Sequence, residues 1–180
     1  AFQQFVRSKT TAPVFMSSML QAPMIVAAHD AEAKYILVTA DSKTLKRKLE
    51  DILIDSGVTV DADRFVLFGL GDVAGWDAVE EGQEPDSDEL RAAVIKSLQK
   101  AIKKDSDVQG IILESSEIPH FADGIRDKLQ LPVFDVVTVV DYFRGSSVNN
   151  ARFGVSLPAQ HLQAGGGSSG FAAGADNPDL

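Results

Sequence analysis

The residues best placed to do chemistry form a short polar run after an apolar stretch. Gly110-Ile111-Ile112-Leu113 leads into Glu114-Ser115-Ser116-Glu117, followed by Ile118-Pro119. Such a run at the end of a buried strand makes a polar pocket wall. Neither serine has a base within its own motif that would activate it as a nucleophile. The Gly-x-Ser-x-Gly elbow of serine hydrolases is absent. His120 follows Pro119 beside this loop, where it reads either as a site residue or as a plain helix-start histidine. His29 and His161 show no metal-ligand spacing with it. Ser17 and Ser18 precede a helical pattern and can either bind an anion through helix-start amides or simply cap the helix. Gly69-Leu70-Gly71 with Gly75 only superficially resembles a dinucleotide loop, because the third glycine is misplaced and Trp76 intervenes.

These residues need elements to hold them. A helix ends near residue 9, and Val14-Phe15-Met16 reads as a short buried strand. Met19, Leu20, Met24, Ile25 and Ala28 repeat at helical spacing, with Pro23 marking a kink or a first turn. Tyr35-Ile36-Leu37-Val38 is a strand buried on both faces, ending at Thr39. Asp41 or Ser42 caps a helix over 43–56, with Leu45, Leu49, Ile52 and Leu53 inward and Gly57 as its stop. Residues 64–68 form a third strand and 69–85 a long loop. A helix capped by Asp86 or Ser87 runs to about Lys104. Residues 110–113 are a strand, 120–129 a helix, 132–134 a strand and 136–143 a helix. Strands alternating with helices predict an α/β fold, a parallel sheet flanked by helices. The functional loops then lie at the strand C-termini. From Gly145 the chain turns Gly/Ser-rich, an irregular tail over 145–180 that a partner is expected to hold.

Composition narrows the function classes. The 180 residues carry 26 acids and 17 bases, a net charge of -9, which argues against nucleic acid and anionic membrane. No apolar run reaches the roughly 20 residues of a membrane span. There is no cysteine, so disulfides, thiolate catalysis and Cys-based metal sites are excluded, and the compartment is left open. The start, Ala1 to Phe5, is not a signal peptide and reads as the middle of a helix, so the chain is expected to be a piece of something longer.

From residue 110 onward the chain resembles the aspartate/glutamate/hydantoin racemase superfamily. Gly110 to Pro119 is similar to that family's second catalytic stretch, an apolar strand leading to Glu-Cys-Thr and then to Pro. The likeness continues through Ala122-Asp123, Ile125, Leu131 to Asp135 and Val137 to Phe143. Pro13 to Pro23 resembles the crossing between the family's two lobes, and Ile36 to Asp41 the strand opening the second lobe. The resemblance implies one lobe of a two-lobed fold (25–144) preceded by a remnant of the first (1–24). It implies a cofactor-independent chemistry in which two cysteines face each other across a carbon acid. Ser115 stands at the second cysteine's position. A hydroxyl holds its proton far more tightly than a thiol of pKa about 8.5. Ser116 matches a substrate-contacting threonine, and the substrate-binding set implied is Ser17, Ser18, Thr39, Ser116 and His120, with no metal.

Two functions follow. The first is a non-catalytic racemase-like domain, a structural or interaction subunit of a larger assembly. Other protein subunits would bind it through the 145–180 tail and the exposed face of residues 1–24, with Phe2, Phe5, Phe15, Met19 and Met24 as candidates. The second is a small-carboxylate racemase or isomerase, seen as a fragment or as a Cys-to-Ser variant. The missing thiol favours the first.

Overall fold

A computed structural model describes residues 2–58, 62–83 and 87–147. The Gly-rich segment 148–180, His161, Asp86 and the side chain of Phe2 lie outside the described residues. The chain divides into two compact units, Ala1–Val140 and Asp141–Leu180. The first holds a four-stranded parallel sheet in the order β2-β1-β3-β4, with helices on both faces. The strands are β1 (Lys34–Thr39), β2 (Phe65–Gly69), β3 (Val108–Leu113) and β4 (Val133–Phe134). The α/β class read from the alternation is therefore the observed one.

Strand β1 is buried from Tyr35 to Thr39 because the sheet is covered on both sides. Its side chains alternate between two cores. Ile36 and Val38 join Trp76, Leu90, Val94, Leu98, Phe121 and Ile125 on one face. Tyr35 and Leu37 join Met19, Ile25, Leu45, Leu49 and Leu53 on the other. The helices of the first face are α5 (Trp76–Glu80), α6 (Ser87–Ile102) and α7 (Ala122–Leu129). Those of the second include α2 (Ala22–Ala27), α3 (Ser42–Lys46) and α4 (Leu49–Asp55), and α1 (Phe2–Arg7) opens the chain. Helix α8 spans Val136–Ser147 and continues past Gly145, four residues beyond the expected end at 143.

Several local expectations are corrected. Val14-Phe15-Met16 is not a strand and pairs with none among the described residues. The Gln3 carboxamide takes the place of a ladder partner: its Nε2 donates to the Val14 carbonyl at 2.7 Å, and its Oε1 accepts from the Met16 amide at 2.9 Å. The single helix expected over 43–56 is two, α3 and α4. Lys48 leaves the helical region at φ -121°, ψ 5°, and the break lets Leu45, Leu49 and Leu53 all reach the core. The loop over 69–85 contains α5, entered through Gly75 at φ +85°, a left-handed conformation that favours glycine. Gly69 is needed for close approach, since a Cβ there would lie 2.7 Å from the Ser42 hydroxyl. Pro23 occupies the first turn of α2, as one of its two expected readings had it. Of the candidates for the expected apolar face, Phe5 and Met24 are exposed and Phe15 is half-buried, but Met19 is buried and offers nothing to a partner. Among the described residues no helix is long and apolar enough to cross a membrane.

Candidate functional site

The strand order places the switch point of the sheet between β1 and β3, the strands from which successive connections leave in opposite directions. In open parallel sheets the crevice at the C-terminal ends of such a pair is where ligands bind. The pair ends in Thr39 and Glu114. The Thr39 hydroxyl donates to Oε2 of Glu114 at 2.9 Å. The Val38 carbonyl accepts from the Glu114 amide at 2.8 Å and, at 3.4 Å, from the Ser115 amide. β3 thus remains zipped to β1 through Glu114, and the chain turns away at Ser115.

That turn displays the polar run in two layers. Ser115 is buried, and its Oγ accepts from the Glu117 amide at 3.4 Å. Ser116 and Glu117 are exposed, and the Ser116 hydroxyl donates to Oε1 of Glu117 at 3.1 Å. Two carboxylates, Glu114 and Glu117, therefore bracket two hydroxyls at the switch point, each carboxylate held by a neighbouring hydroxyl. Asp41, Asp72 and Asp135 close the neighbouring strand ends, so this edge of the sheet is acidic. Hydrogen bonds from the Thr44 hydroxyl, then from the Thr44 and Lys43 amides, hold the Asp41 carboxyl below the usual carboxylate range.

The other residues singled out from the sequence are distributed around this centre. Ser17 caps the 3-10 turn Ser18–Gln21, its Oγ accepting from the Met19 amide at 3.1 Å. Ser18 is buried, and its hydroxyl has no hydrogen-bond partner among the described residues. This turn packs against β3 and carries Gln21, whose Nε2 donates to the Asp135 carbonyl at 2.8 Å. The Thr138 hydroxyl donates to Oε1 of Gln21 at 2.9 Å, and the Thr138 amide to the Asp135 carboxylate at 2.8 Å. His120 lies on the other core's side, its ring edge-on to Phe121 with centroids 3.9 Å apart. His29 is a structural residue whose Nδ1 lies 3.0 Å from the Ile25 carbonyl.

Beside the polar run a cavity of about 390 Å³ opens between α5, α6 and the 3-10 turn Pro119–Phe121. Glu117 and His120 line it together with Trp76, Val79, Leu90 and Phe121. Sequence reading singled out His120 but missed Glu117 and Trp76 as its companions. The Trp76-x-x-Val79 spacing at one helical turn was the available signal. Among the described residues no group of three or more His, Asp or Glu is placed to hold a metal ion.

No protein-family model matches the chain. It is 36% identical over 159 residues to dimethylsulfoniopropionate lyase 3 of Emiliania huxleyi (strain CCMP1516), covering 86% of this chain and 42% of that protein. It is 34% identical over 159 residues to dimethylsulfoniopropionate lyase 7 of the same organism, covering 86% and 47%. A dimethylsulfoniopropionate lyase of Durusdinium sp. clade D is 31% identical over 155 residues, covering 86% and 52%. The chain thus spans about half the length of the curated relatives it matches. A crystal structure of an allantoin racemase from Pseudomonas fluorescens is similar with a TM-score of 0.47 and 20% identity, over 78% of this chain and 58% of that one. The curated relatives overturn the expectation of a non-catalytic structural subunit and the leaning against an enzyme. The relatives that align with most of the chain are named as lyases, so the missing thiol at Ser115 is no ground for reading the domain as a scaffold.

Proposed function

We propose that this chain carries part of the active site of a lyase acting on dimethylsulfoniopropionate. The observation that carries the reading is the alignment with relatives of that name over 86% of the chain. The chemistry implied is an elimination. The substrate bears a sulfonium two carbons from its carboxylate. A base takes a proton from the carbon next to the carboxylate, and that C–H pair becomes the new C=C bond. The C–S pair leaves on sulfur as dimethyl sulfide, so the products are acrylate, dimethyl sulfide and the protonated base. No oxidant or cofactor is needed to balance this step.

The acidic strand edge suits a cationic substrate, and Glu117 is the base in this reading. Its carboxylate is exposed at the end of the polar run and oriented by the Ser116 hydroxyl. Ser115 is a poor base, since its hydroxyl would have to lose a proton far less acidic than that of a thiol. Glu114, tied to Thr39, shapes the switch point and adds negative charge opposite the sulfonium. The test is headspace gas chromatography of dimethyl sulfide, with acrylate measured in parallel, after adding dimethylsulfoniopropionate to the purified protein. Equal amounts of the two products are expected, and Glu117→Gln should lower kcat by about 10²–10⁴-fold, the range for a general base. A folded protein that releases no dimethyl sulfide overturns the reading.

A further inference from the structure

The end of β3, from which the polar run departs, is secured differently on its two sides. On the β1 side the Val38 carbonyl and the Thr39 hydroxyl hold Glu114 and Ser115. On the other side β4 is only two residues long, and its ladder to β3 ends at the pair Ile112 and Phe134, one row before Leu113 closes β3. The next residue after β4 is Asp135, and a side chain from the segment before β1 meets its carbonyl. Gln21 Nε2 donates to it at 2.8 Å, whereas the Val139 amide does so at 3.4 Å. Oε1 of the same carboxamide accepts from the Thr138 hydroxyl at 2.9 Å. Gln21 is buried, in a segment whose other buried side chains include Met19, Ala22 and Ile25. An apolar residue would serve packing there. A buried carboxamide bonded at both ends instead fixes a geometry.

The turn that carries Gln21, Ser18–Gln21, packs against β3. It does so on the face that the Thr39 and Glu114 side chains share. Strand side chains alternate between faces, Leu37 and Ile112 belong to the core of Met19, and Thr39 lies two residues beyond Leu37 and meets Glu114 there. The carboxamide thus clasps the end of β4 to the turn that backs the end of β3, at the row where strand pairing has stopped. We infer that Gln21 is a positioning residue: with Thr138 it steadies the end of β3 from its less paired side, and so holds Ser115, Ser116 and Glu117 in place. The inference rests on the proposed lyase reading for the activity through which the clasp is felt. In that reading Glu117 is the base, and a misplacement of about 1 Å costs up to about 10²-fold in rate.

The test compares Gln21→Met, close in size but without donor or acceptor, with Thr138→Val and Thr138→Ser, all in the full 180-residue chain. Dimethyl sulfide release is expressed per folded molecule, with the folded fraction taken from circular dichroism. Backbone amide exchange is followed by mass spectrometry at 113–117 and, as an internal reference, along α6. In Gln21→Met, kcat per folded molecule should fall about 10–10²-fold. Amides at 113–117 should exchange about tenfold faster or more while α6 is unchanged. Thr138→Val should move both readouts the same way and Thr138→Ser should recover most of the change, a pair that carries the test if Gln21→Met does not fold. A merely structural glutamine would lower the folded fraction and quicken exchange in α6 as well, with kcat per folded molecule intact, and that result overturns the inference. Lost activity with unchanged exchange at 113–117 also overturns it, as does faster exchange there with undiminished kcat. If the parent protein releases no dimethyl sulfide, the lyase reading falls and the exchange decides the clasp: faster at 113–117 keeps it, unchanged overturns it.

Discussion

Thr39 and Glu114, 75 residues apart in sequence, meet in a 2.9 Å hydrogen bond at the C-terminal ends of β1 and β3. The bond spans the switch point of the sheet, where the connection from β1 leads to β2 on one side and that from β3 to β4 on the other. It fixes the carboxylate from which the polar run departs. The shared Val38 carbonyl then sets the angle at which Ser115, Ser116 and Glu117 leave the sheet.

Thr39→Val tests that tie with little change of shape. Thr39 is buried, whereas Glu114 is half-buried, so water replaces only part of the lost donor. Unfolding free energy should fall by about 1 kcal/mol, the usual net value of a hydrogen bond, with an unchanged slope in urea. Thr39→Ser should recover most of the loss. A midpoint that does not move in Thr39→Val would show that the bond contributes nothing to the fold.

Ser115 offers a sharper test of the chemistry. Among the described residues its hydroxyl accepts from the Glu117 amide alone, at a long 3.4 Å, so its part is to hold the turn. Ser115→Ala should reduce dimethyl sulfide release by less than about tenfold, against the 10²–10⁴-fold expected for removing the base. A loss as large as that of Glu117→Gln, in a variant with an unchanged circular dichroism spectrum, would make Ser115 the proton acceptor instead.

The opposite end of the sheet predicts a pH dependence. Lys34 Nζ donates to the Asp105 carboxylate at 2.7 Å. This bond, followed by the Asp107 amide, holds the Asp105 carboxyl below its usual range, and the same bond raises Lys34. A lowered acid stabilises the fold above its unfolded pKa, about 3.9, and loses that contribution as pH falls through its folded value. A raised lysine stabilises it below about 10.4 and loses that contribution as pH rises through its folded value. The stability difference between the protein and Lys34→Met, read as urea midpoints across pH, should therefore be widest between about pH 5 and 9 and narrow at both ends. Added salt should shrink it, since the pair is near the surface. A difference that grows toward acid would contradict the assignment.

Much of the scaffold was legible from residue order alone. Apolar runs such as Tyr35–Val38 and Ile111–Leu113 declared strands covered on both faces. The spacing of Leu45, Leu49 and Leu53 declared an inner helical face, and the alternation of the two patterns implied the parallel sheet. The polar run after β3 was visible as a strand-end wall for the same reason: periodicity records burial, and its interruption records an edge. What periodicity cannot record is a partner. The break at Lys48 preserves the helical spacing of its leucines, so the pattern passes straight over it. Val14–Met16 had the composition of a strand, but only the folded chain brings Gln3 to satisfy its backbone. The identity of Ser115 suggested lost chemistry because one side chain was weighed alone. Sequence determined the buried core of the sheet strands and where those strands end. The tertiary structure alone decided that Glu114 meets Thr39, that Gln21 reaches Asp135, and that Trp76 and Glu117 share one cavity, because hydrogen bonds and cavities are made by groups that sequence keeps apart.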